Sequence, residues 1–177
     1  MRLVLVAIVA CSSAAPPSEL PHRPREVAID ASEPDAPIVR TAFSLEVLGL
    51  EPLGDPLPLE GIRTAQRLTR ELQDAARAYT KIRMKSARHD LLDEKLLINC
   101  MDEALTCMDK VAYDVGAERI IYGHLAMTGS TMRADLKLLV AETGYNVAWS
   151  IEDAKIDEAS LRTIAREAMT SLLSRSP

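Results

Sequence analysis

Aromatic residues are scarce in this 177-residue chain: one Trp, one Phe and four Tyr. A stacking platform for bases or sugars needs more of them. Net charge is −5, with no strongly basic cluster, which argues against nucleic acid as a partner. No apolar run reaches the roughly 18 residues of a spanning helix. There are only three His and three Cys, and neither set shows metal-ligand spacing. The sequence contains no Gly-x-Ser-x-Gly, no phosphate loop and no His-Glu-x-x-His. No catalytic, metal-binding or cofactor-binding residues are therefore assigned, and the chain is not read as an enzyme. Hydrophobic content of 47% is enough for a real core.

What is present begins with a leader. Arg2 is followed by an apolar run from Leu3 to Ala10 and then Cys11. A basic start, an apolar stretch and small residues before a cut mark a secretory signal. Ile8-Val9-Ala10-Cys11 resembles the bacterial lipobox. That resemblance implies removal of residues 1–10, a diacylglycerol thioether on Cys11, and a membrane anchor of two or three acyl chains. Ser12 resembles the outer-membrane type, where Asp would favour the inner membrane. An ordinary leader cut after Ala14 is the alternative, giving a soluble periplasmic protein. Residues 12–42 carry six of the ten prolines, with Ser, Ala, Glu and Asp between them. The expectation is an extended tether, and a single domain over 43–177.

Hydrophobic periodicity organises that domain. Met132, Ala134, Leu136, Leu138 and Val140 alternate with Arg133, Asp135 and Lys137, the period-2 pattern of a half-buried strand. Ile120, Tyr122, His124 and Ala126 alternate before it, and Val147, Trp149 and Ile151 after it. Turns at Thr128-Gly129-Ser130 and Thr143-Gly144-Tyr145-Asn146 join the three. This predicts an antiparallel meander with one wet face. Phe43–Leu50 reads as a mostly apolar, central strand. A helix from Glu60 presents Ile62, Ala65, Leu68, Leu72, Ala75 and Tyr79 to the core. Lys81, Arg83, Lys85 and Arg88, with Ile82 and Met84 between, read as a solvated edge strand blunted by charge, with a continued helix as the alternative. Leu91, Leu92, Leu96 and Leu97 suggest a short helix. A second long-range helix has Asp102 as its N-cap, Leu105, Met108, Val111, Ala112 and Val115 as its core stripe, and Gly116 as its C′ residue. The C-terminal helix spans roughly Asp157 to Ser174. The fold class is α/β (α+β): a small mixed sheet whose C-terminal part is the meander, covered by about three helices.

Cys100 and Cys107 form an even pair in an exported chain, which favours a disulfide. Two helical residues seven apart lie about 10.5 Å apart along the axis, too far to bond. The bridge therefore requires Cys100 in the loop before the helix; two free thiols are the alternative. His124 reads as a hydrogen-bonded strand residue. Ser150, His124 and Asp135 offer the residue types of a triad and nothing more. Asp93-Glu94 and Asp102-Glu103 are expected at solvated positions, and Met84, Met101 and Met108 as packing.

Gly116-Ala117-Glu118-Arg119-Ile120-Ile121-Tyr122-Gly123, the hairpin, Leu136-Lys137-Leu138-Leu139, Thr143-Gly144 and Trp149 together resemble the pattern of TolB amino-terminal-like domains. The pattern is also similar to related periplasmic modules such as the core of the curli-pore lipoproteins. In that family the pattern is structural. The resemblance implies a domain that acts by contacts with other envelope proteins. No β-propeller sequence follows here, and the chain is too short to add curli-type pore strands. A ligand-binding module for lipid or peptidoglycan fragments is the first alternative, favoured by a concave apolar cleft beside the sheet; an enzyme is the second.

Overall fold

A computed structural model describes residues 42–54, 58–86, 90–100 and 102–177. The leader, Cys11, the tether up to residue 41, Arg88, His89 and Met101 lie outside the described residues. In chain order the elements are β1 (Phe43–Leu53), α1 (Leu59–Arg77), β2 (Ile82–Met84), α2 (Leu91–Leu97), α3 (Leu105–Asp114), β3 (Arg119–Thr128), β4 (Thr131–Val140), β5 (Tyr145–Lys155) and α4 (Glu158–Ser174). They build one mixed sheet in the order β2-β1-β3-β4-β5. β1 runs parallel to both β2 and β3, and β3-β4-β5 is the antiparallel meander. Parallel neighbours need a crossover; α1 supplies the one from β1 to β2.

β1 is central, as its apolar run predicts: every residue from Phe43 to Leu50 is buried. Its first face packs under α1 and α4, in a cluster that includes Leu45, Val47, Leu68, Leu72, Ile121, Leu136, Leu138, Ala165 and Leu172. The middle of β1 bulges between Val47 and Gly49. Gly49 has φ of +104°, and a Cβ there would meet Thr69 Oγ1 at 3.1 Å, so only glycine lets α1 lie this close. Gly123 answers a similar need inside the meander, because an added Cβ would fall on the backbone carbonyl of Asp135. α4 starts where Asp157 accepts a hydrogen bond from the Ser160 backbone N–H at 2.9 Å. Arg119 stacks its guanidinium 3.8 Å above the Phe43 ring and donates to Ser176 Oγ at 2.7 Å, which ties the end of the chain to the start of β3.

The second face departs from the expectation of a wet surface. α2 and α3 cover its β1–β3 half and form a second core of Leu48, Leu91, Met108, Val111, Ile120, Tyr122 and Leu139. Among the described residues the helices number four: the three longer ones expected to cover the sheet and the short α2 that Leu91–Leu97 suggested. The stretch expected from Asp102 onward starts later. α3 begins at Leu105 with Ala104 in the cap position, and Asp102 Oδ1 accepts from the Ala104 N–H at 3.0 Å as a turn ahead of the helix. Leu105, expected in the core stripe, is the first residue of the helix and is exposed; Met108, Val111 and Ala112 are buried. Gly116 ends the helix with φ of +65°, as read from the sequence.

Candidate functional site

Two features stand out on and beside the second face. The first is a knot of charged side chains where the ends of β1 and β3 meet α2 and the turn before α3. His124 faces Glu51 across the parallel β1–β3 pair. Its Nε2 lies 3.1 Å from Glu103 Oε1 and 3.7 Å from Glu51 Oε2. Lys95 of α2 reaches Glu51 at 3.0 Å, and Lys137 of β4 reaches Glu103 at 2.7 Å. The side chains of Lys95 and Glu103 are only 9% and 12% exposed. Lys137 also sits 5.7 Å from the Tyr122 ring centroid. Burial, followed by the negative charge of Glu103, pushes the Tyr122 hydroxyl up to about 12. Glu94 of α2 is buried too. Glu94 and Glu103, expected at solvated positions, are thus both taken inward. Their neighbours Asp93 and Asp102 stay exposed.

Glu51, Glu103 and His124 each bring one ligand atom within 4.8 Å of the others. One imidazole and two carboxylates form a donor set that a divalent cation would accept. Here, however, each carboxylate is already matched by an ammonium. A cation would have to displace two lysines from a site where charge is balanced. The knot therefore works as a structural ion network that fastens α2 and the α3 turn to the sheet.

Serine, histidine and aspartate do fall on one face. The strand register sets His124 opposite Asp135, and Asp135 opposite Ser150. This order is wrong for nucleophile activation, because the imidazole must lie between the hydroxyl and the carboxylate. Two strand spacings separate His124 from Ser150, roughly 9.6 Å. Asp135 is held instead by Arg133 at 2.9 Å.

Cys100 lies in the turn after α2 and Cys107 in the first turn of α3, with Cα atoms 5.6 Å apart and the sulfurs joined. The pair closes the turn that carries Glu103. Of the methionines named above, Met108 is buried in the second core and Met84 packs beside the first. Lys81, Arg83 and Lys85 are exposed at the β2 edge, where Arg83 meets Glu118 at 3.5 Å.

The second feature is a groove. β2 pairs with β1 only over Phe43–Leu45. Beyond that the Lys85 N–H reaches the Leu45 carbonyl and Gln73 Nε2 reaches the Val47 carbonyl. From Leu48 to Pro52 no strand among the described residues pairs with this edge. A groove of about 630 Å³ follows it, walled by Ile62, Gln66, Thr69, Arg70 and Gln73 of α1 on one side and by Asp90, Leu91 and Leu92 on the other. α2 turns its remaining leucines outward. Leu92, Leu96 and Leu97 are 53%, 56% and 63% exposed. The sequence placed this short helix but not its orientation; only Leu91 is core.

No family model matches the sequence, and no curated protein does. Among solved structures, the chain is similar to the LpoB C-terminal domain from Salmonella enterica, at 18% identity and a TM-score of 0.42 over 63% of this chain and 84% of that one. It is also similar to the lipoprotein GNA1162 from Neisseria meningitidis, at 16% identity and a TM-score of 0.41 over 75% of this chain and 97% of that one. A third likeness is to TolB from Acinetobacter baumannii, at 11% identity and a TM-score of 0.46 over 77% of this chain but 29% of that one. These likenesses are ones of fold.

Proposed function

We propose that this chain is a non-catalytic protein-interaction module of the bacterial cell envelope. Residues 1–10 are its signal peptide, Cys11 carries the lipid that holds it on the periplasmic face of the outer membrane, and residues 12–42 are the tether. The observation that carries the reading is the outer face of α2. Leu92 and Leu96 lie one turn apart on one side of the helix, Leu97 lies next to them, and all three are more than half exposed. Apolar side chains grouped in this way mark a contact surface. The non-catalytic reading is supported by the charge-balanced knot at His124 and by the strand order that keeps Ser150 away from it.

In-cell crosslinking with recovery from the membrane fraction tests it. One dominant envelope protein is expected, and it should be lost in a Leu92→Asp/Leu96→Asp variant that melts like the parent. Recovery with no partner above background would overturn the reading. Loss of membrane recovery in Cys11→Ser tests the anchor. The groove beside β1 also has the size of a ligand pocket. A lipid or peptidoglycan fragment bound by the purified chain, with no protein partner, would establish that second reading instead.

A further inference from the structure

Building on the interaction reading, we infer that the free edge of β1 receives an extended segment of a partner protein in which acidic and apolar residues alternate. Three observations converge. The first is the edge itself: residues Leu48 to Pro52 form one wall of the groove, and on the side away from β3 no described strand pairs with them. Unpaired edges that border a groove in this way are templates for strand addition. Gly49 puts no side chain into the way, and Pro52, which has no N–H, ends the run as prolines do on edge strands. Five residues of edge, about 16 Å, suit a partner segment of five or six residues.

The second observation is charge. The chain as a whole is acidic, at −5. Yet Arg63, Arg67 and Arg70 run as an exposed stripe along α1 with no ion pair among the described residues, and Arg70 borders the groove. The acidic groups on the groove are already engaged: Glu51 meets Lys95 at 3.0 Å, and Asp90 caps α2 by accepting from the Asp93 N–H at 3.0 Å. The uncompensated charge along the α1 wall is therefore positive, while Asp90 keeps its negative charge on the opposite wall. The third observation is the difference between the walls. The α1 side offers Arg70 and two glutamines beside Ile62 and Thr69, and the other side offers the exposed Leu92 beside Asp90 and the buried Leu91. A strand added at the edge sends alternate side chains to opposite faces. One set meets the arginine, and the other meets Leu92. That fixes the pattern as acid, apolar, acid, apolar.

The test titrates the full chain with a fluorescein-labelled Asp-Val-Asp-Val-Asp-Val peptide. Controls are Lys-Val-Lys-Val-Lys-Val and the same acidic composition in two blocks. The alternating acidic peptide should bind and shift the Gly49 and Glu51 amide resonances. Arg70→Glu should weaken it at least tenfold and transfer binding to the lysine peptide. Equal binding of the alternating and block peptides, or binding that leaves Gly49 and Glu51 unmoved, would overturn the inference. A photocrosslinking residue in place of Gln66, used in cells, covers a partner whose affinity exceeds that of a short peptide. The captured segment should be acidic and alternating, and a basic or uncharged segment refutes the proposal. If the leucine-dependent partner is found but neither probe meets these expectations, this inference fails and the interaction reading survives. If no partner is found at all, both fail.

Discussion

The two faces of the sheet are held down by different means. On the first face, α1 and α4, of 19 and 17 residues, lay continuous apolar stripes over the strands. On the second, α2 and α3 have seven and ten residues. A helix that short is marginal by itself in water. It keeps its place through specific fastenings: the cystine from Cys100 to Cys107, the Lys95–Glu51 and Lys137–Glu103 pairs, and the single inward leucine, Leu91. A short helix has too few residues on its buried face to hide the rest. The leucines left outside α2 are a consequence of that, and they lie where the sheet edge is also bare. The larger buried cluster lies on one face and the exposed leucines of α2 on the other.

The comparison breaks first if the first face is not the stability centre. Leu68 is completely buried between α1 and the sheet. Leu68→Ala should cost about 3–5 kcal/mol, from lost transfer free energy plus the cavity left behind. Denaturant unfolding checks this, and the whole domain should lose stability in one transition. The cystine comes next. Cys107→Ser opens a short loop and should cost about 2–3 kcal/mol, and reductant should have the same effect on the parent. Equal melting with and without reductant would show that α2 and α3 do not depend on the bridge. The loss should also be local. Amide exchange should speed up in α2 and α3 well before it does in α4.

Much of this division was legible in the sequence, and the illegible part has a physical pattern. The meander, the Gly129 and Gly144 turns, the central β1, α1 and the Asp157 cap all follow from local periodicity and capping chemistry. The row of His124, Asp135 and Ser150 was not read from the sequence, although the tight turns fix the register of each hairpin and counting from them would have found it. The ion knot was not legible. Glu51, Glu103 and His124 come from three separate parts of the chain, and no spacing rule joins them. The exposure of Leu92, Leu96 and Leu97 was hidden for another reason. In a seven-residue helix, leucines at four of seven positions leave the core face undefined. Asp102 misled because the same side chain that caps a helix also closes a turn one step earlier.

A smaller effect separates the ion knot from mere decoration. Glu103→Gln removes a charge at a side chain 12% exposed and leaves Lys137 without its acid. The expected cost is about 1–3 kcal/mol, because a partly buried charge loses its partner. Glu103→Gln combined with Lys137→Met should recover part of the loss. A double-mutant cycle in denaturant measures the coupling, and additive losses would mean that the two residues act independently.

The smallest effect lies at the seam between the two faces, where the loop after α3 joins β1. Glu118 accepts hydrogen bonds from the Ser44 backbone N–H at 2.5 Å and the Ser44 hydroxyl at 2.8 Å. These bonds, with Arg83 nearby, hold its carboxyl below the ordinary value of 4.5. A folded carboxylate with a lowered pKa binds its proton later than the unfolded chain does as acid is added. Its stabilisation is therefore complete above the ordinary value and is lost as pH falls through the lowered one. The side chain is 58% exposed, so solvent screening keeps the contribution below about 1 kcal/mol. Glu118→Gln should flatten the acid limb of the stability–pH curve slightly and leave neutral-pH cooperativity intact. Ser44→Ala should flatten it in the same way, since the hydroxyl is one of the two donors. An unchanged acid limb in both variants would place the acid sensitivity of the fold elsewhere, with the carboxylates of the ion knot as the next to replace.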